Sequence, residues 1–366
     1  MIILAAVTIN VTLGDGGLID QAKTAAESTV NSTQAEQEQL ASLEQELANL
    51  LAEDSQITPP EPGTPEIGDI KPGEGEPVDI FENTTEVKDD LGNTVWIPGE
   101  FGIAEDSGTK VEEGIVIEDS SGNQFVWIPT GTYNVSTSIN SAGQLTNNLS
   151  RRTFTTTEAT EVSGDSVIDS YFYGEGDSRS VASGQIAAFK ASAESTTNGG
   201  KGGFYIGRYE QGIGNVVKAG VSPYTNITRD QAKSNIENMY KGNSYVTSEL
   251  ISSYAWDTAL NFICQTNVED GEGYNLSRTT SSQYGNIGTN KRENTGAYVA
   301  DNYSNIHDLL GNCYEWTTEY YSYSTVPCVY RGGYCSFSTY SAASRDDYDT
   351  SSSSGSLSAR AQLYVK

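Results

Sequence analysis

The sequence predicts an α+β fold, and three observations carry that reading. Two Gly-Asn turns each lead into a β-branched and aromatic strand that stops at proline, a hairpin signature. A capping box, Thr228-x-x-Gln231, opens one helix, and an apolar face running through Ser248 to Thr266 marks a second. The C-terminal third is dominated by Gly, Ser, Asn and Tyr with few long periodic stretches, as expected for short strands joined by irregular loops.

Taken in order, the chain opens with MIILAAVTINVTL (Met1 to Leu13), apolar but short of the roughly 20 residues that span a bilayer. It has no basic leader region and no small-residue cleavage site. After Gly14-Asp15-Gly16-Gly17, a helix rich in Ala, Glu, Gln and Leu is predicted from about Leu18 to Ala52, with Leu40, Leu43, Leu47, Leu50 and Leu51 on one face. A short coiled-coil or stalk helix satisfies that pattern. Leu4 to Thr29, LAAVTINVTLGDGGLIDQAKTAAEST, also resembles the back half of the N-terminal helix of pilin-like proteins of Gram-positive bacteria. The resemblance implies membrane insertion followed by packing into a fibre, with other pilin subunits as partners. The chain starts inside the apolar stretch, so residues 1–54 are read as a pilin-like helix trimmed at its start.

Residues 55–78 are read as a linker, because Pro59, Pro60, Pro62, Pro65, Pro72 and Pro77 alternate with Gly and Glu. Proline cannot donate to a helix or sheet ladder, so an extended, semi-rigid spacer is expected. Residues 79–130 hold the echoed hairpins: Asp90-Leu91-Gly92-Asn93 runs into Val95-Trp96-Ile97-Pro98, and Asp119-Ser120-Ser121-Gly122-Asn123 into Phe125-Val126-Trp127-Ile128-Pro129. Two copies fall short of a solenoid, so a small β module is expected there. Residues 131–366 form the main domain, with Gly203 to Glu210 as a strand and helices at 228–240 and 248–266.

Charge excludes one class of partner. With 21 Lys and Arg against 49 Asp and Glu, the formal charge is −28, and nucleic acid or anionic lipid needs a basic face. Acidity and low lysine content fit a secreted bacterial protein. Cys264, Cys313, Cys328 and Cys335 lack C-x-x-C spacing, and His307 is the single histidine, which rules out most histidine-based zinc sites. The thiols are read as buried and free, with a Cys313–Cys328 disulfide as the alternative.

Four segments in order resemble the formylglycine-generating-enzyme-like branch of the C-type lectin fold: GGFYIGRYE (Gly202–Glu210), the helix around Trp256, DLLGNCYEWT (Asp308–Thr317), and YRGGY with SARAQLYV (Ser358–Val365). In that reading Trp316 anchors the core, and Gly311, Gly332 and Gly333 allow close backbone approach. Arg331, Arg345 and Arg360 hold irregular loops. The oxidases of this family follow the Gly-Gly with two cysteines separated by four residues. Here Cys335 has Tyr340 at the partner position, and His307 alone cannot hold iron as other branches do, so the chain is expected not to be an enzyme.

The variable proteins of diversity-generating retroelements provide a nearer resemblance. They use the lectin-like fold with a hypervariable segment between an Arg-Gly-Gly strand and a final strand. Their adenine-directed mutagenesis reaches Ser, Tyr, Asp, Gly, Thr, Ala, Phe, Cys, Leu and Arg but not Lys, Glu, Gln, Met or Trp, and Gly332 to Arg360 contains none of those five. A plain serine-rich loop is the competing description. The resemblance makes 332–358 the variable segment and assigns ligand contacts to Tyr334, Ser336, Ser338, Tyr340, Ser341, Asp346, Asp347, Tyr348, Ser351, Ser352, Ser353 and Ser356. Ala343, Ser344, Arg345, Gly355, Ala359 and Arg360 are assigned to the scaffold. Tyr and Ser together supply rigid area and adaptable hydrogen bonds, as in antibody loops.

The expected function is a cell-surface or pilus-displayed adhesin-like protein whose partner is a protein or glycan on another cell, phage or host surface. A formylglycine-type oxidase and a structural pilin subunit are the alternatives. No cofactor is expected. Structural calcium is an option because Asp/Asn/Gly-rich stretches offer oxygen ligands, although no D-x-D-x-D-G loop occurs.

Overall fold

The computed structural model describes residues 64–163, 172–176, 186–268, 273–322 and 325–366. The pilin-like helix of 1–54 and the first part of the linker lie outside the described residues. Among the described residues no helix is long and apolar enough to cross a membrane.

Both echoed hairpins form, and they share one turn. Asp89 Oδ1 accepts from the Leu91 and Asn93 backbone N–H groups, and Asp119 Oδ1 accepts from those of Ser121 and Asn123. An aspartate that hydrogen-bonds its own backbone two residues on closes a tight turn without help from elsewhere. The first copy pairs Thr85–Lys88 with Thr94–Ile97. The second pairs Val116–Asp119 with Gln124–Pro129.

The second copy corrects the expected boundary between a small module and the main domain. Gln124–Pro129 also pairs with Gly203–Gly207, inside an antiparallel sheet ordered Val246–Leu250, Ala361–Val365, Gly203–Gly207, Gln124–Pro129, Val116–Asp119, Phe101–Ile103. Every residue from Phe125 to Pro129 is buried, so this strand is covered on both faces, which a small hairpin module cannot do. The linker is corrected as well where it is described. Ile67–Ile70 is a short helix whose Ile67 is fully buried, and Glu66 bridges to Lys88.

The first expected helix is Arg229–Met239, with the Thr228 hydroxyl accepting from Gln231 N–H and Gln231 Oε1 accepting from Thr228 N–H. The second starts later than expected. Val246–Leu250 is a strand against Ala361–Val365, and the helix spans Ser253–Thr266 behind a Ser252 cap. Val246, Ser248 and Leu250 are buried in alternation, a period of two that a helical reading passed over. The helix itself is buried from Ser253 through Cys264, so it is the core of the domain rather than a surface helix.

A second sheet carries the C-terminal motifs. Tyr314–Tyr321 is its spine, flanked by Phe172–Glu175 on one side and Cys328–Arg331 on the other, with Arg345–Tyr348 beyond. Leu357–Ala359 runs parallel to the start of the spine. Trp316 is fully buried on that spine and its Nε1–H donates to Ile227 O at 3.1 Å. Trp316→Ala should therefore cost about 3–5 kcal/mol, measured by urea denaturation; a loss under about 1 kcal/mol would show that the ring is not a core anchor.

Candidate functional site

The 332–358 segment leaves the spine's neighbour at Arg331 and returns at Arg360, and a buried arginine fixes each passage. Arg331 Nη2 donates to Asp257 Oδ1 at 2.8 Å, Nε to Ser344 O at 3.0 Å, and Nη1 lies 3.5 Å from Glu319. Arg345, midway, binds both Glu319 oxygens at 3.1 Å and also Asp257. Arg360 binds Glu315 at 2.6 Å and donates to Gly207 O and His307 O at 2.8 Å. Arg151 adds a 2.9 Å pair with Glu319. The expectation that Arg331, Arg345 and Arg360 hold loops through carbonyls and carboxylates is met in each case.

Burial by itself would raise the Asp257 carboxyl, but the Arg331 and Arg345 guanidiniums outweigh it and hold the group below the ordinary carboxylate range. Glu175 sits at the edge of the same network, accepting from Ser253 N–H and from the Ser253 and Thr318 hydroxyls. Burial drives it up to about 7, opposed by Arg151 and helped by Glu319.

Glycine matters at two points of this frame. Gly332 takes φ +83°, the left-handed region, immediately after Arg331, and so turns the chain out of the sheet. A Cβ on Gly311 would stand 2.5 Å from Asn286 O, so the turn before the spine needs a residue without one.

Between the arginines the segment forms two loops and a short strand. Backbone groups hold the first loop: Trp256 Nε1–H donates to Ala342 O, Ala343 N–H to Ser277 O, and Asn290 N–H to Cys335 O. Asn226 N–H and the Arg292 guanidinium hold the second through Ser354 O and Gly355 O. The tips face solvent: Ser336, Ser338, Ser351 and Ser353 are exposed, and Tyr334, Tyr340, Asp346, Asp347, Ser352 and Ser356 are half-buried. Tyr348 is 40 % exposed.

Ser341 is a correction. It is buried, with its backbone N–H donating to Ser344 Oγ at 2.8 Å, and it belongs to the frame. Asp346 is also largely internal, because its Oδ2 accepts the hydroxyls of Tyr330 at 2.8 Å and Tyr340 at 2.9 Å. Phe337 was passed over, yet it is 52 % exposed at the tip of the first loop. The signal was available, since phenylalanine belongs to the set of residues the resemblance allows.

Beneath the tips lies a continuous aromatic base. Tyr314 contacts Tyr330 at 4.8 Å and both Tyr334 and Tyr340 at 5.4 Å between ring centroids; Tyr330 contacts Tyr348 at 5.4 Å; Phe337 lies 6.0 Å from Tyr334. Trp316 closes the array from below, 6.1 Å from Tyr330. Rings at these separations gain beyond simple burial. The exposed aromatics therefore stand on a rigid floor that lies outside the 332–358 segment. Asp347 is pushed up to about 6 by partial burial and then by the neighbouring Asp346 carboxylate.

The four cysteines are buried and free, so the thiol reading stands and the Cys313–Cys328 disulfide does not form. Burial pushes Cys264 up to about 12 and raises Cys313 and Cys328 as well. A second buried acidic group surrounds Arg360: Glu210, Asp301, Asp308 and Glu315. Burial raises all four, and the mutual repulsion of their carboxylates adds to it for Glu210, Asp301 and Glu315. His307, stacked on Tyr209 at 5.0 Å, is lowered to about 4 by burial and by Arg208 and Arg360. Among the described residues no group of three or more His, Cys, Asp or Glu is placed to hold a metal. Arg360 lies within this acidic group and pairs with Glu315 at 2.6 Å.

No family model and no curated protein matches the chain. Among solved structures it is similar to the crystal structure of CarF (13 % identity, TM-score 0.35, covering 45 % of this chain and 87 % of that one). It is similar to Treponema denticola variable protein 1 (13 %, 0.32, covering 44 % and 84 %). PvdO from Pseudomonas aeruginosa gives 10 % and 0.36, covering 68 % of this chain and 97 % of that one. Likenesses this distant leave the functional reading to this chain's own residues.

Two outcomes follow from the frame. Asp257→Ala leaves Glu319 as the carboxylate shared by Arg331 and Arg345 and should cost about 3–5 kcal/mol in denaturant unfolding; a near-neutral result would remove the network from the frame. Glu175 gains a proton on folding, so its contribution is complete below about pH 4.5 and is lost as the pH rises through about 7. Glu175→Gln should flatten that part of the Tm-against-pH curve, and an unaltered slope would place the proton on another group.

Proposed function

We propose that this chain is a surface-displayed ligand-binding protein on a C-type-lectin-like frame, with 332–358 as the diversified segment of a diversity-generating retroelement. One observation carries the reading: the segment is held by arginines and backbone bonds, while its Ser, Tyr, Thr and Phe side chains face solvent over an aromatic floor. Such a division lets side chains change without moving the loops. It also disfavours the serine-rich filler loop, which would have no reason to be clamped by buried ion pairs.

The assigned contacts are Tyr334, Ser336, Ser338, Tyr340, Asp347, Tyr348, Ser351, Ser352, Ser353 and Ser356, with Phe337 added and Ser341 and Asp346 given to the frame. The partner is a protein or glycan on another cell, phage or host surface, met outside the cell. A pilus-like shaft built through residues 1–54 would present the domain. A non-enzymatic role is supported by Tyr340 standing five residues after Cys335, where a second thiol would be needed for the oxidase chemistry.

The test is a displayed library in which only the exposed positions of 334–353 are exchanged. Most members should keep the parental melting transition, since exposed substitutions usually stay within about 0.5 kcal/mol. Members should differ in binding to an array of glycans and cell-surface proteins. Exchanging the half-buried Tyr340 as well should be costly, because its hydroxyl holds Asp346. General misfolding across the library, or uniform binding, would overturn the proposal. A reverse-transcriptase gene beside a near-repeat of the coding sequence for 332–358 is the matching genomic expectation.

A further inference from the structure

A cleft of about 400 Å³ opens beside the first loop, at the border between the 332–358 segment and the rest of the domain. That volume falls near the lower end of the range for small-molecule sites, about 300–1,000 Å³. The segment contributes Thr339 and Tyr340, and the frame contributes Thr153, Phe154, Phe172 and Arg278. Phe154 and Phe172 are nearly buried and form an apolar floor. Thr153 and Thr339 are exposed and carry hydroxyls to which no protein partner is assigned among the described residues.

Arg278 is the unusual member. Arg345 also lines the cleft, but its charge is consumed by Asp257 and Glu319. Arg278 is exposed and makes no ion pair or hydrogen bond to any described residue. In a chain carrying 49 acidic side chains against 21 basic ones, a guanidinium beside a binding loop with no carboxylate upon it is conspicuous. Guanidinium groups favour planar, bidentate anions, above all carboxylates.

We propose that this cleft binds a single carboxylate-bearing monosaccharide unit, a uronic-acid-like residue of a glycan. The inference rests on the ligand-binding reading above and names the chemistry of part of its ligand. Arg278 takes the carboxylate, the Thr153 and Thr339 hydroxyls meet ring hydroxyls, and the apolar face of the pyranose lies on Phe154 and Phe172. An acidic peptide side chain would use the guanidinium and leave the aromatic floor and both hydroxyls unmatched. A polyanion is excluded by the net charge of −28, whereas one carboxylate in a neutral chain meets mainly the charge within a Debye length of about 8 Å. Arg278, Thr153, Phe154 and Phe172 lie outside 332–358, so the carboxylate contact and the floor would persist while the tips change, and only the Thr339 hydroxyl would vary with them.

The experiment titrates isotope-labelled protein with glucuronic acid, glucose and N-acetylglutamate, following side-chain and backbone chemical shifts. Saturable shifts for glucuronic acid are expected at Arg278, Phe154 and Thr339, with affinity about tenfold or more above glucose, the worth of one charge-assisted hydrogen-bond pair, and above N-acetylglutamate, which offers a carboxylate but no sugar face or ring hydroxyls. Arg278→Gln should reduce glucuronic acid to the level of glucose with Tm unchanged. Equal binding of glucose, equal binding of N-acetylglutamate, or no effect of Arg278→Gln each overturns the subsite. The library above supplies the separation: tip-dependent array binding that survives Arg278→Gln keeps the display reading and removes the cleft. Tip-independent binding with an intact uronate site does the reverse.

Discussion

Arg331 and Arg345 face one another across the Cys328–Arg331 and Arg345–Tyr348 strand pair, and everything else in the 332–358 segment depends on how that clash is resolved. Like charges directly opposite on neighbouring strands repel, and here both are buried. Asp257, from the core helix, and Glu319, from the spine, each lie against both guanidiniums. The four groups form a closed unit with alternating sign, and Arg151 and Glu175 border it through Glu319 and Ser253. Removing one partner leaves the remaining charges of the unit poorly compensated at a largely buried place, which ties the register of the pair to these four groups.

Buried ion pairs are poor evidence for stability, because desolvation can cancel the attraction. Their better-attested use is to specify one arrangement among several, and that is what this surface requires. A loop whose conformation rested on its own side chains would refold its backbone with each substitution. In this molecule the positions that fix the backbone, Arg331, Ala342, Ala343, Arg345 and Arg360, are not those that reach solvent, Ser336, Phe337, Ser338, Tyr348 and Ser353. The tyrosine floor extends the same logic upward: Tyr314 and Tyr330 are buried and sit outside the exposed set, yet any aromatic at 334, 337, 340 or 348 finds a ring to pack against.

Much of this was legible in the sequence because the relevant signals are local. The Thr228–Gln231 box and the Gly-Asn turns specify their own geometry within a few residues, and each appears where expected. The arginines were recognisable as loop holders from their place around the segment, but their partners were not, since Asp257 and Glu319 lie 74 and 26 residues away along the chain from Arg331 and Arg345 respectively. Period errors account for the rest. Val246–Leu250 runs straight into the cap of the core helix, so an alternating strand and a helical face merge into one apolar stretch. Ser341 was misplaced because a serine reads as surface; only its bond to Ser344 and its cover by neighbours reveal it as frame.

Acidity has a further consequence once burial is known. Arg151, Arg152, Arg331 and Arg360 are among the largest fully buried side chains, and each is spent on carboxylates or carbonyls inside the domain. The solvent-facing surface is therefore left poorer in positive charge than the composition suggests, and the loop tips add Ser, Thr, Tyr and Phe together with Asp347 and Asp349. On the proposed reading, a ligand approaching those tips would be selected first by what it lacks, namely extended negative charge, and only then by fit. Side-chain exchange that adds or removes an aspartate at the rim, as at Asp347, would change that filter without touching a single hydrogen bond of the frame.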